Sequence, residues 1–286
     1  MKLLVTGGSG FLGRRVCAYF ETLGWQVFTP GHGQLDITDE TGIRKWFDTH
    51  SPDAVIHTAA ISDTGLCQRE PEWSECINVD GSANLARVCR DWGVKPVICS
   101  SDQVYFGSTA PGPHTEVEIL FPVNVYGRQK RRAEEKCLEI LPETVCLRLS
   151  WMYARDHFSG EHGHFLSTLK AAMEDEDKTV ILPVFDRRGM TDAADVVKNL
   201  PAALKLEGGV WNFGSGNDAD TYTTVKNVLE QTGMDAMLRR LKPDEQAFAA
   251  NPRDLTMDLR KLNSAGIRFP TTEEALARAL KMQKDA

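Results

Sequence analysis

Short apolar runs alternate with helical patterns through the first half of the chain, and that alternation decides the fold class. "KLLVT" (Lys2 to Thr6), "QVFT" (Gln26 to Thr29), "AVIH" (Ala54 to His57), "PVICS" (Pro96 to Ser100) and "TVCLRLS" (Thr144 to Ser150) show little polar alternation. Leu12 to Leu23, Asp39 to Thr49 and Glu72 to Trp92 separate them with helical spacing, as does the segment after Asn124. Strands with little alternation are covered on both faces, and strands joined through helices run parallel. The expected fold is α/β, with a parallel sheet between two helical layers.

After Ser150 the pattern loosens. "ARDHFSGEHGH" (Ala154 to His164) is polar and reads as a loop, while "TVILP" and "GVWNFG" (Gly209 to Gly214) read as further strands. A late helix follows "PTTEEALARALK", where Thr271 and Glu274 match a capping box. The expected division is residues 1–150 as a dinucleotide-binding domain. Residues 151–286 then form a small substrate-binding lobe, with strands returning to the sheet.

Length and composition exclude several classes. At 286 residues, 42% of them hydrophobic, the chain can build a full core. The net charge of −7 gives no support for nucleic-acid binding, and the basic run "GRQKRR" continues directly into "AEEK", a solvated helix face. Cys17, Cys67, Cys76, Cys89, Cys99, Cys137 and Cys146 are scattered without CxxC pairing, so neither a zinc site nor a disulfide framework is expected. They read as core thiols in a reducing cytoplasm. No apolar run is long enough for a membrane span.

The first strand runs into "TGGSGFLG" (Thr6 to Gly13), which spaces Gly7, Gly10 and Gly13 as GxxGxxG and opens a helix. Such a turn lets backbone amides approach a pyrophosphate at the helix N-terminus. A lone glycine pattern is weak, but strand, turn and helix together are the context it requires. An acid closing the second strand would favour NAD through the ribose hydroxyl. Here that strand ends "TPGHG" without one, and Arg14 and Arg15 follow the glycines, where they could meet a 2′-phosphate. An exposed first helical turn explains the two arginines equally well. The cofactor expected is NADP(H) or NAD(H), with the balance towards NADP(H). The nearest acid, Asp36 in "LDITD", is placed near the adenine or at the start of the next helix.

The helix after Asn124 poses a problem that points to chemistry. Ala133, Cys137, Ile140 and Leu141 fall on one face, and extending it backwards reaches Lys130 and Tyr126. A lysine on a buried stripe is costly unless compensated. Tyr126 and Lys130 stand one turn apart, and Ser101 closes the fourth strand. Tyrosine is a poor acid–base near neutrality, but a neighbouring ammonium favours its phenolate and lowers its pKa. In carbonyl–alcohol redox chemistry Ser101 would orient the oxygen, Tyr126 would transfer the proton and Lys130 would tune Tyr126 and hold a nicotinamide ribose. The lysine then borders a cofactor instead of the core.

Together with "HTAA" (His57 to Ala60), "NVDGSANLARVC" and "SSDQVYFG", these motifs make the chain resemble the extended short-chain dehydrogenase/reductases of the NAD-dependent epimerase/dehydratase superfamily. Within it the chain is most similar to the dTDP-4-dehydrorhamnose reductase group, through "LDITD", "REPEWSECINVDG", "SWMY" and "NPRDLTMDLRKLNSAGIRFPTTEEAL". The resemblance implies a Rossmann-type doubly wound sheet and a reductase of a keto group on a nucleotide-linked sugar. It implies Ser101, Tyr126 and Lys130 as the catalytic set, and Asp102, Gln103 and Trp151 as substrate contacts, although core packing explains Trp151 equally well. Cofactor contacts are implied at Gly7, Gly10, Phe11, Leu12, Gly13, Arg14, Asp36, Ile37, Ala59, Ala60, Tyr126 and Lys130. The chain departs from the group at Gly65 and Gln68, where acids are usual, at Gln103 for tyrosine, at His164 for asparagine and at Asn251 for arginine. These departures bear on substrate and subunit contacts.

The same resemblance leaves two rivals. One is a nucleotide-sugar epimerase or dehydratase. The other is a non-catalytic regulatory subunit of the same fold, as in the methionine adenosyltransferase regulatory subunit. A soluble monomer or homodimer is expected. His57 reads as structural beside the cofactor, and Glu161, His162 and His164 as a polar loop more readily than a metal site.

Overall fold

The computed structural model describes residues 1–158, 165–175 and 177–284. In its first half the order is β1 (Lys2–Thr6), α1 (Phe11–Thr22), β2 (Gln26–Phe28), α2 (Glu40–His50), β3 (Ala54–His57), α3 (Thr64–Arg69), α4 (Pro71–Glu75), α5 (Ser82–Trp92), β4 (Pro96–Ser101), α6 (Val125–Ile140) and β5 (Val145–Leu149). The helical pattern over Glu72 to Trp92 is not one regular helix. A π-helical turn, Cys76–Gly81, joins α4 to α5.

The second half continues with β6 (Trp151–Tyr153), α7 (Phe165–Glu174), β7 (Val180–Pro183), β8 (Asp186–Arg188), β9 (Met190–Asp192) and α8 (Ala193–Ala203). It ends with β10 (Gly209–Phe213), α9 (Thr221–Gln231), α10 (Asp235–Arg240), β11 (Leu241–Asp244), β12 (Arg253–Leu255), α11 (Arg260–Ser264) and α12 (Thr272–Lys284).

Six strands form one parallel sheet in the order β10–β5–β4–β3–β1–β2. The chain moves from β1 outward to β2 and then returns to β3 on β1's other side. That reversal opens a crevice at the carboxyl ends of β1 and β3. Alternation along the strands shows why both faces are apolar. Leu3 and Val5 pack with Val16 and Phe20 of α1 and Val196 and Leu200 of α8. Leu4, between them, packs with Ile43 and Phe47 of α2 and Leu85 of α5. Each such side chain contributes roughly 2 kcal/mol on burial.

The second half packs a cluster of its own. Leu166 and Leu169 of α7, Val225 and Leu229 of α9, and Leu276 and Leu280 of α12 enclose Tyr153. Two-stranded parallel sheets β7–β11, β8–β12 and β6–β9 tie this half together, and β10 returns to the main sheet beside β5. The capping box is present: Thr271 N–H donates to Glu274 Oε2 (2.8 Å) and Glu274 N–H to Thr271 Oγ1 (3.2 Å). No described helix is long and apolar enough to cross a membrane.

Candidate active site

A cleft of about 740 Å³ opens where the strands end. Its first wall is the turn between β1 and α1. Gly7 has φ +70°, and a Cβ there would stand 2.6 Å from the Ala59 backbone nitrogen, so the turn closes on β3 only with glycine. Gly10, at the N-cap of α1, offers no side-chain cap, and the first turn of the helix holds no acid. That leaves a helix N-terminus suited to an anion. Gly10, Phe11, Leu12, Gly13, Arg14 and Ala60 line the cleft.

The floor comes from β4 and α6. Ser101 ends β4, donates to Asp102 Oδ1 (3.2 Å) and accepts from the Gln103 N–H (3.2 Å). Asn124 caps α6, accepting from the Gly127 N–H at 2.6 Å. Gly127 lets the helix start close to the preceding turn, because a Cβ there would lie 2.4 Å from the Gln103 carbonyl. This approach brings Tyr126 into the same cleft as Ser101. Lys130 donates to the Cys99 carbonyl (2.8 Å), and its Nζ lies 5.7 Å from the Tyr126 ring centre. Ser101, Tyr126 and Lys130 therefore meet in one cleft with the glycine turn.

The electrostatics differ from the sequence expectation. Burial raises the Tyr126 phenol well above its ordinary pKa, the Asp102 carboxylate raises it further, and the neighbouring Ser101 only partly offsets them. The ammonium does not prevail over burial, so Tyr126 is a phenol near neutrality. Burial also lowers the pKa of Lys130. His57 behaves as expected of a structural group. It is fully enclosed between Thr6 Oγ1 (2.6 Å) and Ser82 Oγ (3.0 Å), and burial, with Lys130 nearby, lowers its pKa to about 3.

Several predicted contacts stand elsewhere. Arg15 is not on an exposed turn; it is buried, with Nε donating to Asp156 Oδ1 (3.0 Å) and its guanidinium over the Phe11 ring. Of the two arginines only Arg14 reaches the cleft, with Nε donating to the Ser9 carbonyl at 3.0 Å. Asp36 closes a local turn on Thr38 (2.8 Å to the N–H) and does not cap α2, whose N-cap is Asp39. Gly7, Asp36, Ile37 and Ala59 lie outside the cleft lining. Ile37 instead packs under Gly81, where a Cβ would meet its Cδ1 at 2.8 Å. Glu161, His162 and His164 lie outside the described residues. Among the described residues no cluster of three or more metal-binding side chains occurs.

The second wall was mostly hidden from the sequence. Trp151 lines it, and so do Arg188 and Arg253. Arg188 sits over the Trp151 ring (5.2 Å) and pairs with Asp102 at 2.6 Å. Arg253 pairs in two-point fashion with Asp186 (2.8 and 2.7 Å). Gln103 accepts from Asn124 Nδ2 at 2.9 Å. Asn251, Gly65 and Gln68 do not line the cleft. Beneath the floor, Asn78 in the π-helical turn holds the Ile61 backbone (2.8 Å) and Gln129 of α6 (2.9 Å), a support that "NVDG" signalled only as part of a motif.

The RmlD substrate binding domain family matches residues 1–284. A dTDP-4-dehydrorhamnose reductase of Streptomyces griseus is 35% identical over 279 residues, covering 93% of this chain and 88% of the relative. A dTDP-4-keto-6-deoxy-D-glucose reductase of Streptomyces niveus is 30% identical, covering 86% and 83%. The fold is shared with the dTDP-4-dehydrorhamnose reductase of Bacillus anthracis, solved in complex with NADP, at a TM-score of 0.85, 22% identity and 98% coverage of both chains. The chain belongs to the RmlD substrate binding domain family.

Proposed function

From that membership we propose that the protein is an oxidoreductase that reduces the keto group of a nucleotide-linked sugar, with NADP(H) preferred over NAD(H). The observation that carries this reading is the convergence of Ser101, Tyr126 and Lys130 on the cleft that begins at the glycine turn. The turn and the uncapped start of α1 suit a pyrophosphate, and in this reading Lys130 holds the ribose. When bound, the dinucleotide supplies the hydride. Tyr126 gives its proton to the carbonyl oxygen, and Ser101 orients that oxygen. A raised tyrosine pKa agrees with this direction of reaction, because the donor must hold its proton until the oxygen gains charge. Lys130 then stabilises the phenolate that forms.

Residues 151–286 supply the substrate wall in this reading, with Trp151 against the sugar nucleotide. In this reading the protein works in the cytoplasm. The reading takes the protein to be a monomer or homodimer, which light scattering decides. The test of function is loss of NADPH absorbance with dTDP-4-keto-6-deoxyglucose, followed by identification of the alcohol. Turnover without net NADPH consumption would replace the reductase with an epimerase or dehydratase. No turnover and no sugar-nucleotide binding, with stable capture of a partner enzyme, would replace it with a regulatory subunit.

A further inference from the structure

The cleft contains a buried ion pair that the reduction chemistry above does not use. Asp102 is wholly buried, immediately after Ser101, and Arg188 is 7% exposed on β8. Arg188 Nη2 meets Asp102 Oδ2 at 2.6 Å, across 86 residues of sequence. Asp102 Oδ1 accepts from Ser101 Oγ at 3.2 Å, and Ser101 lines the same cleft as Tyr126. Three side chains thus form one hydrogen-bonded line from the second wall to Ser101, in the cleft that Tyr126 also lines. Arg188 Nε is buried without a hydrogen-bond partner. Leaving such a group unpaired is unfavourable, and replacing a buried ion pair with apolar residues is often neutral or stabilising. Stability alone is therefore a weak reason for the pair.

We propose that Arg188 is a positioning residue for the reduction: by fixing the Asp102 carboxylate it sets the direction of the Ser101 hydroxyl, and through it the Tyr126 proton. Both Asp102 oxygens are engaged, one by each neighbour. With Arg188 in place the carboxylate can rotate only by breaking its strongest contact. Without it, Asp102 becomes an unpaired buried anion beside Tyr126, and Ser101 loses a fixed acceptor. Asp102 is consequently a support for Ser101 and not a direct hold on the sugar. The pair also spans the two halves of the chain, from β8 to the residue that follows β4. The inference rests on the proposed reductase reading for its kinetic part and on geometry alone for its spectroscopic part.

Two measurements test it. With 13Cζ-labelled tyrosine, the Tyr126 resonance, identified by its loss in Tyr126→Phe, reports the hydrogen bond at that hydroxyl whether or not a sugar is turned over. It should move in Arg188→Met and return towards the wild-type position in Arg188→Lys, which keeps a donor to Asp102. In single-turnover reduction, Arg188→Met should lower the rate by about 10- to 100-fold while KM stays within about threefold, the pattern of lost alignment in the transition state. Arg188→Lys should recover most of the rate. An unmoved Tyr126 resonance in folded Arg188→Met overturns the inference, even if the protein proves not to be a reductase. A moved resonance with no wild-type turnover overturns the reductase reading alone. If Arg188→Met does not fold, an Arg188→Lys protein with the wild-type resonance supports the inference, and one shifted as far as Ser101→Ala overturns it.

Discussion

The two walls of the cleft are built on different physical plans. The wall from β1, β3, β4 and α6 works through backbone: a glycine turn, a helix N-terminus, and side chains held by caps within a few residues. The wall from β6, β8 and β12 works through charge: Arg188 with Asp102, Arg253 with Asp186, and Arg187 near Asp254 (3.5 Å). Every one of those pairs joins residues far apart in sequence. The first plan suits a cofactor whose shape is common to many enzymes. The second suits a ligand that differs between them, since moving one charged side chain re-shapes the wall without disturbing the sheet.

The comparison breaks first at Tyr126. If the first wall carries the chemistry, Tyr126→Phe should lower turnover by about 10²- to 10⁴-fold, as expected for loss of a general acid. NADPH affinity should stay within about threefold, because the ring keeps its packing against Ile61 and Val125. Titration calorimetry and steady-state rates give the two numbers. Near wild-type turnover would remove the proton-transfer role from this wall altogether.

A charge deletion on the second wall comes next. Asp186→Asn leaves Arg253, with 14% of its side chain exposed, without its carboxylate. Breaking a buried pair on one side costs about 3 kcal/mol. Urea midpoints should show a loss near that size. Sugar-nucleotide KM should rise while NADPH affinity is unchanged, and the reverse split would show that the two walls are not separate in function.

How much could be seen in the sequence follows the same division. The strand boundaries of β1, β3 and β4, the glycine turn and the pair Tyr126 and Lys130 were legible because their information is local: burial period, a turn requirement, an i to i+4 spacing. Arg15 was misplaced because its partner, Asp156, lies 141 residues away. Arg188 gave no signal for the same reason, since "DRRG" looks like any polar turn, and Arg253 appeared only within a longer motif. The rise in the Tyr126 pKa was missed because spacing shows that Lys130 is near and says nothing of how completely both groups are dehydrated.

His57 tests whether the first wall is as dry as its packing implies. Its folded pKa is lowered, so neutral His57 contributes stability that is present above the unfolded value of 6.5 and lost as pH falls towards about 3. From pH 7 to pH 5 the wild type should lose about 2 kcal/mol more than His57→Asn, at 1.36 kcal/mol per pKa unit. Equal losses in the two proteins would mean that water reaches the imidazole.

The smallest expected effect lies at Arg14, where the two plans meet: a charged side chain on the backbone-built wall. Arg15 is committed to Asp156, so any arginine preference for a 2′-phosphate falls to Arg14 alone. Arg14 is half-buried, borders the cleft, and is held by the Ser9 carbonyl at the lip of the glycine turn and by the face of Phe158 (5.3 Å). Those contacts orient the guanidinium at the edge of the cleft, where a bound 2′-phosphate would meet it. Solvent weakens such a contact, and about 1 kcal/mol is a reasonable size for it. Arg14→Ala should therefore weaken NADPH about 5- to 10-fold and leave NADH nearly unchanged, with the NADPH difference shrinking as salt is raised. Thr29, whose hydroxyl lies 1.6 Å from where a Gly8 Cβ would stand, follows β2 at the position where an acid would repel the phosphate. Thr29→Asp should consequently lower NADPH affinity by more than Arg14→Ala does. If NADH bound more tightly than NADPH in the wild type, and Arg14→Ala changed neither, cofactor choice would be set by backbone alone, and the first wall would use no charge at all.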